Sequence, residues 1–162
     1  MRICEEAVVH APVRCVWETL AAPAGVERWD PAAAGSKAIR SDDEAPERIV
    51  HRASDGRRRR ERLVEGSEGE RLVWEVADGL RFPLKALRTE WALERAGAAT
   101  RVVACVDFRL HLPYGPVGGP FWLVQRRRRH RELVAALAGL KTHLGSSAAS
   151  SPGERRSVAR DR

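Results

Sequence analysis

The stretch Leu84-Lys-Ala-Leu-Arg-Thr-Glu-Trp-Ala-Leu-Glu-Arg95 decides the fold class. Leu87, Thr89, Trp91 and Leu93 alternate with Arg88, Glu90 and Glu94. A period of two places these sets on opposite faces of a β-strand, one apolar and one wet. The neighbouring runs repeat the pattern. Leu72, Trp74 and Val76 oppose Arg71 and Glu75, and Phe108, Leu110 and Leu112 oppose Asp107, Arg109 and His111. Such one-sided alternation belongs to an antiparallel sheet with one face covered and one solvated.

Working outward, turn signals at Ser41-Asp42-Asp43, Asp55-Gly56, Glu65-Gly66-Ser67, Asp78-Gly79 and Ala96-Gly97 divide residues 36–112 into about six strands. The spacing predicts them at 36–40, 47–52, 58–64, 71–76, 84–95 and 100–112, joined as hairpins. A further strand is expected at Ile3–His10. Pro12 then suits a helix start, and Val13, Val16, Trp17 and Leu20 fall at helical spacing. A second short helical piece at 24–29 ends before Pro31.

After Pro120 the sequence predicts one long helix over about 121–144, with Phe121, Val124, Leu133, Leu137, Leu140 and Leu144 as its apolar stripe. Residues 1–145 form the expected domain. Residues 146–162 contain almost no large apolar side chain and read as a disordered basic tail. An α+β architecture follows: a curved antiparallel sheet of about six to seven strands wrapped around the long C-terminal helix, with two short helices after the first strand. A cavity between sheet and helix is the natural by-product.

Order and residues together resemble the SRPBCC superfamily, the START-like helix-grip domains that include polyketide cyclase/dehydrase-like proteins. Val9-His-Ala-Pro12 before Val16-Trp17, and Arg28-Trp29 before Pro31, match that family's opening. Arg52 followed by Glu61-Arg62-Leu63, then Trp74-Glu75-Val76, then Thr100-Arg101-Val102, continue the likeness over residues 3–144. Ala98-Ala99 stand where the family prefers glycine. The resemblance implies a cavity that binds a small hydrophobic ligand, lipid or polyketide-like. It also permits a polyketide aromatase/cyclase-type enzyme using the same space.

The candidate ligand-binding residues are Trp29, Arg52, Glu61, Trp74, Phe82, Trp91, Phe108, Leu110, Tyr114, Phe121 and Val124. Glu61, Arg52 and Tyr114 are the candidates for proton transfer or polar anchoring. Arg52 on the neighbouring strand is the expected partner of Glu61. The pair reads equally as an ion pair that only fixes strand register, and each aromatic reads equally as ordinary core.

Net charge is +7, with arginine far ahead of lysine, which occurs only at positions 37, 85 and 141. Two arginine runs stand out, Arg57–Arg60 and Arg126–Arg129. On a strand the first run splits between two faces: Arg58, Arg60 and Arg62 on one; Arg57, Arg59, Glu61 and Leu63 on the other. On a helix the second run points to all sides, with one arginine or its neighbour toward the cavity. Neither run is interleaved with aromatics, which argues against a nucleic-acid partner; binding of an anionic surface or of nucleic acid by the arginine runs is the alternative reading.

Five histidines lack ligand spacing, and no phosphate loop or hydrolase motif occurs. No metal and no cofactor are expected. Three cysteines without a CxxC support no disulfide framework, and a reducing cytoplasm is the simplest setting. The longest apolar run, at 133–140, is too short to span a bilayer. Oligomeric state is not readable from the chain.

Overall fold

A computed structural model describes residues 1–39, 45–112, 115, 116 and 118–149. Strand β1 (Arg2–Val9) leads into helix α1 (Val13–Ala21) and a 3₁₀ turn at Val26–Arg28. Six strands follow: β2 (Ala33–Ile39), β3 (Glu47–Arg52), β4 (Arg58–Ser67), β5 (Arg71–Asp78), β6 (Leu84–Ala96) and β7 (Ala99–Leu110). Helix α2 (Gly119–Ala149) closes the fold. It begins earlier and ends later than the apolar pattern predicts, running through Gly145 into residues assigned to the tail. Residues 150–162 lie outside the described residues.

The seven strands form one antiparallel sheet in the order β1-β7-β6-β5-β4-β3-β2. Consecutive strands pair as hairpins from β2 to β7, and β1 closes onto the far side of β7. The apolar face curls around α2, the helix-grip arrangement. Leu72, Trp74, Leu87, Trp91, Val102, Ala104 and Phe108 of the sheet meet Leu133, Ala136, Leu137, Leu140 and Leu144 of α2, with α1 residues Val16 and Leu20 sealing one side. No helix among the described residues is long and apolar enough to cross a membrane.

Two glycines matter for this geometry. Gly79 follows β5 at φ 84° with its Cα packed on the Arg58 carbonyl, so only glycine fits that turn. Gly139 allows α2 to lie against the backbone carbonyl of Trp29; a Cβ there would collide with it. This close approach sets the distance between α2 and the segment after the 3₁₀ turn.

The first arginine run is largely consumed within the sheet. Arg60 Nε and Arg62 Nε donate to the two oxygens of Glu47 at 2.8 and 2.7 Å. The two guanidinium groups cover Glu47 on the outer face and hold its carboxyl below the usual range, chiefly through the hydrogen bonds from Arg62 and Arg60. Further along the outer face, Arg2 and Arg71 both bind Glu90, at 2.8 and 3.0 Å, and Arg71 also reaches Glu65 at 3.2 Å.

The cysteine reading requires correction. Cys4 and Cys105 are direct partners in the β1–β7 register, with Cα atoms 4.1 Å apart, and their sulfurs are bonded. Both face the outer side, and Cys15 is the free thiol. The bond links residues 101 positions apart, a relationship that spacing motifs do not reveal. It removes the cysteine argument for a reducing compartment.

Candidate functional site

The inner face of the sheet does not meet α2 everywhere. Toward β3, β4 and the first half of α2 it parts to leave a cavity of about 80 Å³. That is room for several waters or a compact organic group. The strands wall it by their alternation. β3 contributes Arg48, Val50 and Arg52, β4 contributes Arg59 and Glu61, and β5 contributes Trp74 and Val76. Leu87, Thr89 and Trp91 of β6 and Val106 of β7 complete the sheet side. The other side is formed by Val26, Trp29 and Asp30 and by Arg129, Glu132, Leu133 and Ala136 of α2.

One half of this wall is aromatic and aliphatic. Trp29 and Trp91 pack edge to face with centroids 5.6 Å apart. Trp74 donates its indole N–H to the Leu20 carbonyl at 3.1 Å, so α1 fixes its ring.

The other half is charged, with four guanidinium groups facing three carboxylates. Arg48 Nε donates to Glu61 at 2.8 Å, and its guanidinium lies 3.8 Å over the Trp74 ring. Arg52 lies between Asp30 at 3.7 Å and Glu132 at 3.4 Å. Arg129 donates to Glu132 at 2.5 Å and to Gln125 at 3.4 Å. Arg128 adds a third contact to Glu132 at 3.1 Å from the solvent side. Arg59 is buried, and among the described residues its guanidinium has no hydrogen bond and no ion pair.

Burial and charge shift these groups in different directions. Burial lowers Arg129 to about 10, against the attraction of Glu132. Burial also lowers Arg59, helped by the nearby Arg52. Burial alone would raise Glu132, but Arg129, Arg52 and Arg128 together outweigh it and hold the carboxyl below its ordinary value. Asp30 goes the other way. Burial raises it, and the Ala32 N–H and the Arg52 guanidinium compensate only in part.

Of the sequence candidates, Trp29, Arg52, Glu61, Trp74 and Trp91 lie on the cavity wall. Phe108 and Leu110 are buried in the core outside it, Phe108 against Trp122. Phe82 is 64% exposed and stacks on His111 in the turn before β6. Tyr114 lies outside the described residues. Phe121 and Val124 point outward, a correction with a clear cause. Stepping back along α2 from Leu133 in turns of four leads to Arg129 and Gln125, which are buried, so the inner stripe becomes polar where it reaches the cavity.

A second correction concerns pairing. Glu61 faces Arg48 in the β3–β4 register, whereas Arg52 lies beyond the last paired position and turns to Asp30 and Glu132.

Asp30, Arg48, Arg59, Arg129 and Glu132 were not among the candidates. Arg59 shares a strand face with Glu61, and Arg48 shares one with Arg52, so a period of two was the available signal. Glu132 lies one helical turn from Arg128 and Arg129, but nothing in the sequence distinguishes it from a surface acid. Arg52 and Glu132 also line a separate open cleft between the β3–β4 turn and α2, together with Arg81, Arg128 and Asp55.

By structure, the chain is similar to the Zhui aromatase/cyclase from Streptomyces sp. R1128, with a TM-score of 0.80 at 16% identity over 95% of this chain and 99% of that one. The protein TTHA0849 from Thermus thermophilus superimposes with a TM-score of 0.74 at 18% identity, covering 93% and 100%. A START superfamily protein from Mycobacterium smegmatis gives 0.70 at 14%, covering 90% and 98%. At these identities the likeness shows the fold. No curated protein matches the chain. The sequence model of one family matches residues 2–145, nearly the whole folded region. The chain therefore belongs to the polyketide cyclase / dehydrase and lipid transport family.

Proposed function

We propose that the protein binds a small amphipathic molecule in the cavity between sheet and α2. The carrying observation is the two-sided wall, with tryptophans on one side and a ring of buried charges on the other. A packed core has no use for four buried guanidinium groups, since burying charge is costly unless the charges work together. A ligand with an apolar body and polar oxygens satisfies both halves. Its apolar part stacks on Trp29 and Trp91, and its oxygens accept from the arginines. The purely hydrophobic ligand expected from the aromatic strand faces is thereby narrowed to one with a polar end.

Native mass spectrometry of the purified protein, followed by denaturing extraction, tests the reading. A co-purified organic molecule in stoichiometric amount supports it. A wholly empty protein that also fails to take up a panel of aromatic and fatty acids, alcohols and ketones counts against it.

A second reading, catalysis on a poly-β-ketone, is favoured by Asp30. Its carboxyl lines the cavity and is raised by burial, so it keeps a proton closer to neutral pH than an ordinary aspartate and can donate it to a carbonyl or hydroxyl oxygen. Turnover of a poly-β-ketone that is lost in Asp30→Asn and kept in Glu61→Gln would support this reading. Turnover that survives Asp30→Asn would remove Asp30 from the mechanism.

A further inference from the structure

Three of the four cavity arginines are accounted for within the wall. Arg48 has Glu61 and the face of Trp74, Arg129 has Glu132, and Arg52 shares Asp30 and Glu132. Arg59 is different. It is 8% exposed, lines the cavity, and has no hydrogen bond or ion pair to any described residue. Glu61 and Glu132 reach it only as longer-range attraction, which Arg52 and Arg128 oppose.

A largely buried cation without a counter-ion is unfavourable unless the side it leaves open meets water or a ligand, and the Arg59 nitrogens are not among the fully buried atoms. The same wall carries further unused donors: the Nε atoms of Arg52 and Arg129 are buried with no acceptor. The cavity thus has one positive charge more than its carboxylates balance, and donors in excess of acceptors.

We infer that the ligand is a monoanionic organic acid whose carboxylate sits on Arg59. The inference rests on the cavity being a ligand site. The planar guanidinium offers paired donors that match a carboxylate. A neutral ligand leaves Arg59 uncompensated. A dianion overcorrects, because Glu61 and Glu132 already border the space. The apolar body of the acid then lies against Trp29 and Trp91, across the cavity from the charges.

The test uses two probes of the same shape, 1-naphthoate and 1-naphthamide, titrated calorimetrically at pH 7 into the wild-type protein and Arg59→Gln. The acid should bind wild type about tenfold tighter than the amide, the effect of one charge-assisted contact. Arg59→Gln should abolish that preference and leave the amide affinity within about twofold. Its thermal midpoint should equal or exceed that of wild type, because an uncompensated charge has been removed; a purely structural arginine would give a lower one.

Equal affinities for acid and amide in wild type would overturn the inference and leave the ligand site standing. Failure of both probes, and of the smaller benzoate and benzamide, would overturn the site and the inference together. The wild-type comparison decides the matter even if the variant does not fold.

Discussion

Arg48 and Glu61 face each other across β3 and β4, 2.8 Å apart, with side chains only 6% and 14% exposed. Arg48 also reaches the Ala22 carbonyl at 3.4 Å and covers the Trp74 ring, so this one pair ties two strands to the end of α1. Removing one partner leaves an unpaired buried charge. Glu61→Gln should therefore cost roughly 3 kcal/mol in urea unfolding, whereas Arg48→Met combined with Glu61→Leu should return to within about 1 kcal/mol of wild type. Additive losses in the double variant would show that the two side chains act independently.

Gly139 sets how closely α2 approaches Trp29. Gly139→Ala should cost about 2 kcal/mol through overpacking, despite alanine's better helix propensity. Trp29 borders the cavity, so the same substitution should shift tryptophan fluorescence. Unchanged or increased stability would mean that α2 has room to move away from the Trp29 carbonyl.

Asp30 and Glu132 give opposite pH signatures. The folded-state value of Asp30 is raised, so the native state holds its proton more tightly than the unfolded chain does. Stability from this group is present below its unfolded value of about 4, and is lost as pH rises through the folded value. Glu132 is lowered, so its contribution is present at neutral pH and fades as pH falls through its folded value. Asp30→Asn should raise the denaturation midpoint at pH 7, and that gain should vanish below about pH 4. Glu132→Gln should lower the midpoint at pH 7, with the loss shrinking on acidification. Parallel midpoint-against-pH curves for both variants and wild type would contradict these assignments.

The Cys4–Cys105 bond closes a loop of about a hundred residues, which strongly limits the unfolded chain. Replacing both cysteines by alanine should cost about 2–4 kcal/mol in urea unfolding without reductant. Reductant should lower wild type toward the variant and leave the variant unchanged. A wild-type midpoint that does not respond to reductant would mean that the bond adds nothing to stability.

Much of the fold was legible because its strands obey a period of two. β3 falls where it was expected, and β6 and β7 differ by one or two residues at their ends. β4 was less legible because it carries irregularities between Arg60 and Glu61 and between Leu63 and Glu65, which no local pattern announces. α2 misled in its first half, since hydrophobicity locates a core-facing stripe, whereas here the buried positions are Arg129, which faces the cavity, and Gln125, which accepts from it. The candidate site was half legible for the same reason. Its tryptophans announced themselves, whereas Asp30 and Glu132 acquire meaning only through Arg52, which is distant from both in sequence. Cys4 and Cys105 likewise meet only once β1 has been laid beside β7.

The ion pairs on the outer face have a kinetic consequence. Arg2, Arg71 and Arg88 stand beside Glu90 or Glu65, and Arg101 beside Glu6, so each cancels most of its neighbour's field a short distance into solvent. Arg81 and Arg128 stand at the open cleft, and Arg81 has no ion pair among the described residues. Arg57, Arg95, Arg109, Arg126 and Arg127 are likewise exposed and without an ion pair among the described residues, so with a net charge of +7 the long-range attraction belongs to the protein as a whole. An approaching anion is attracted over a Debye length or so, and its association rate should fall as salt is added while its dissociation rate changes little.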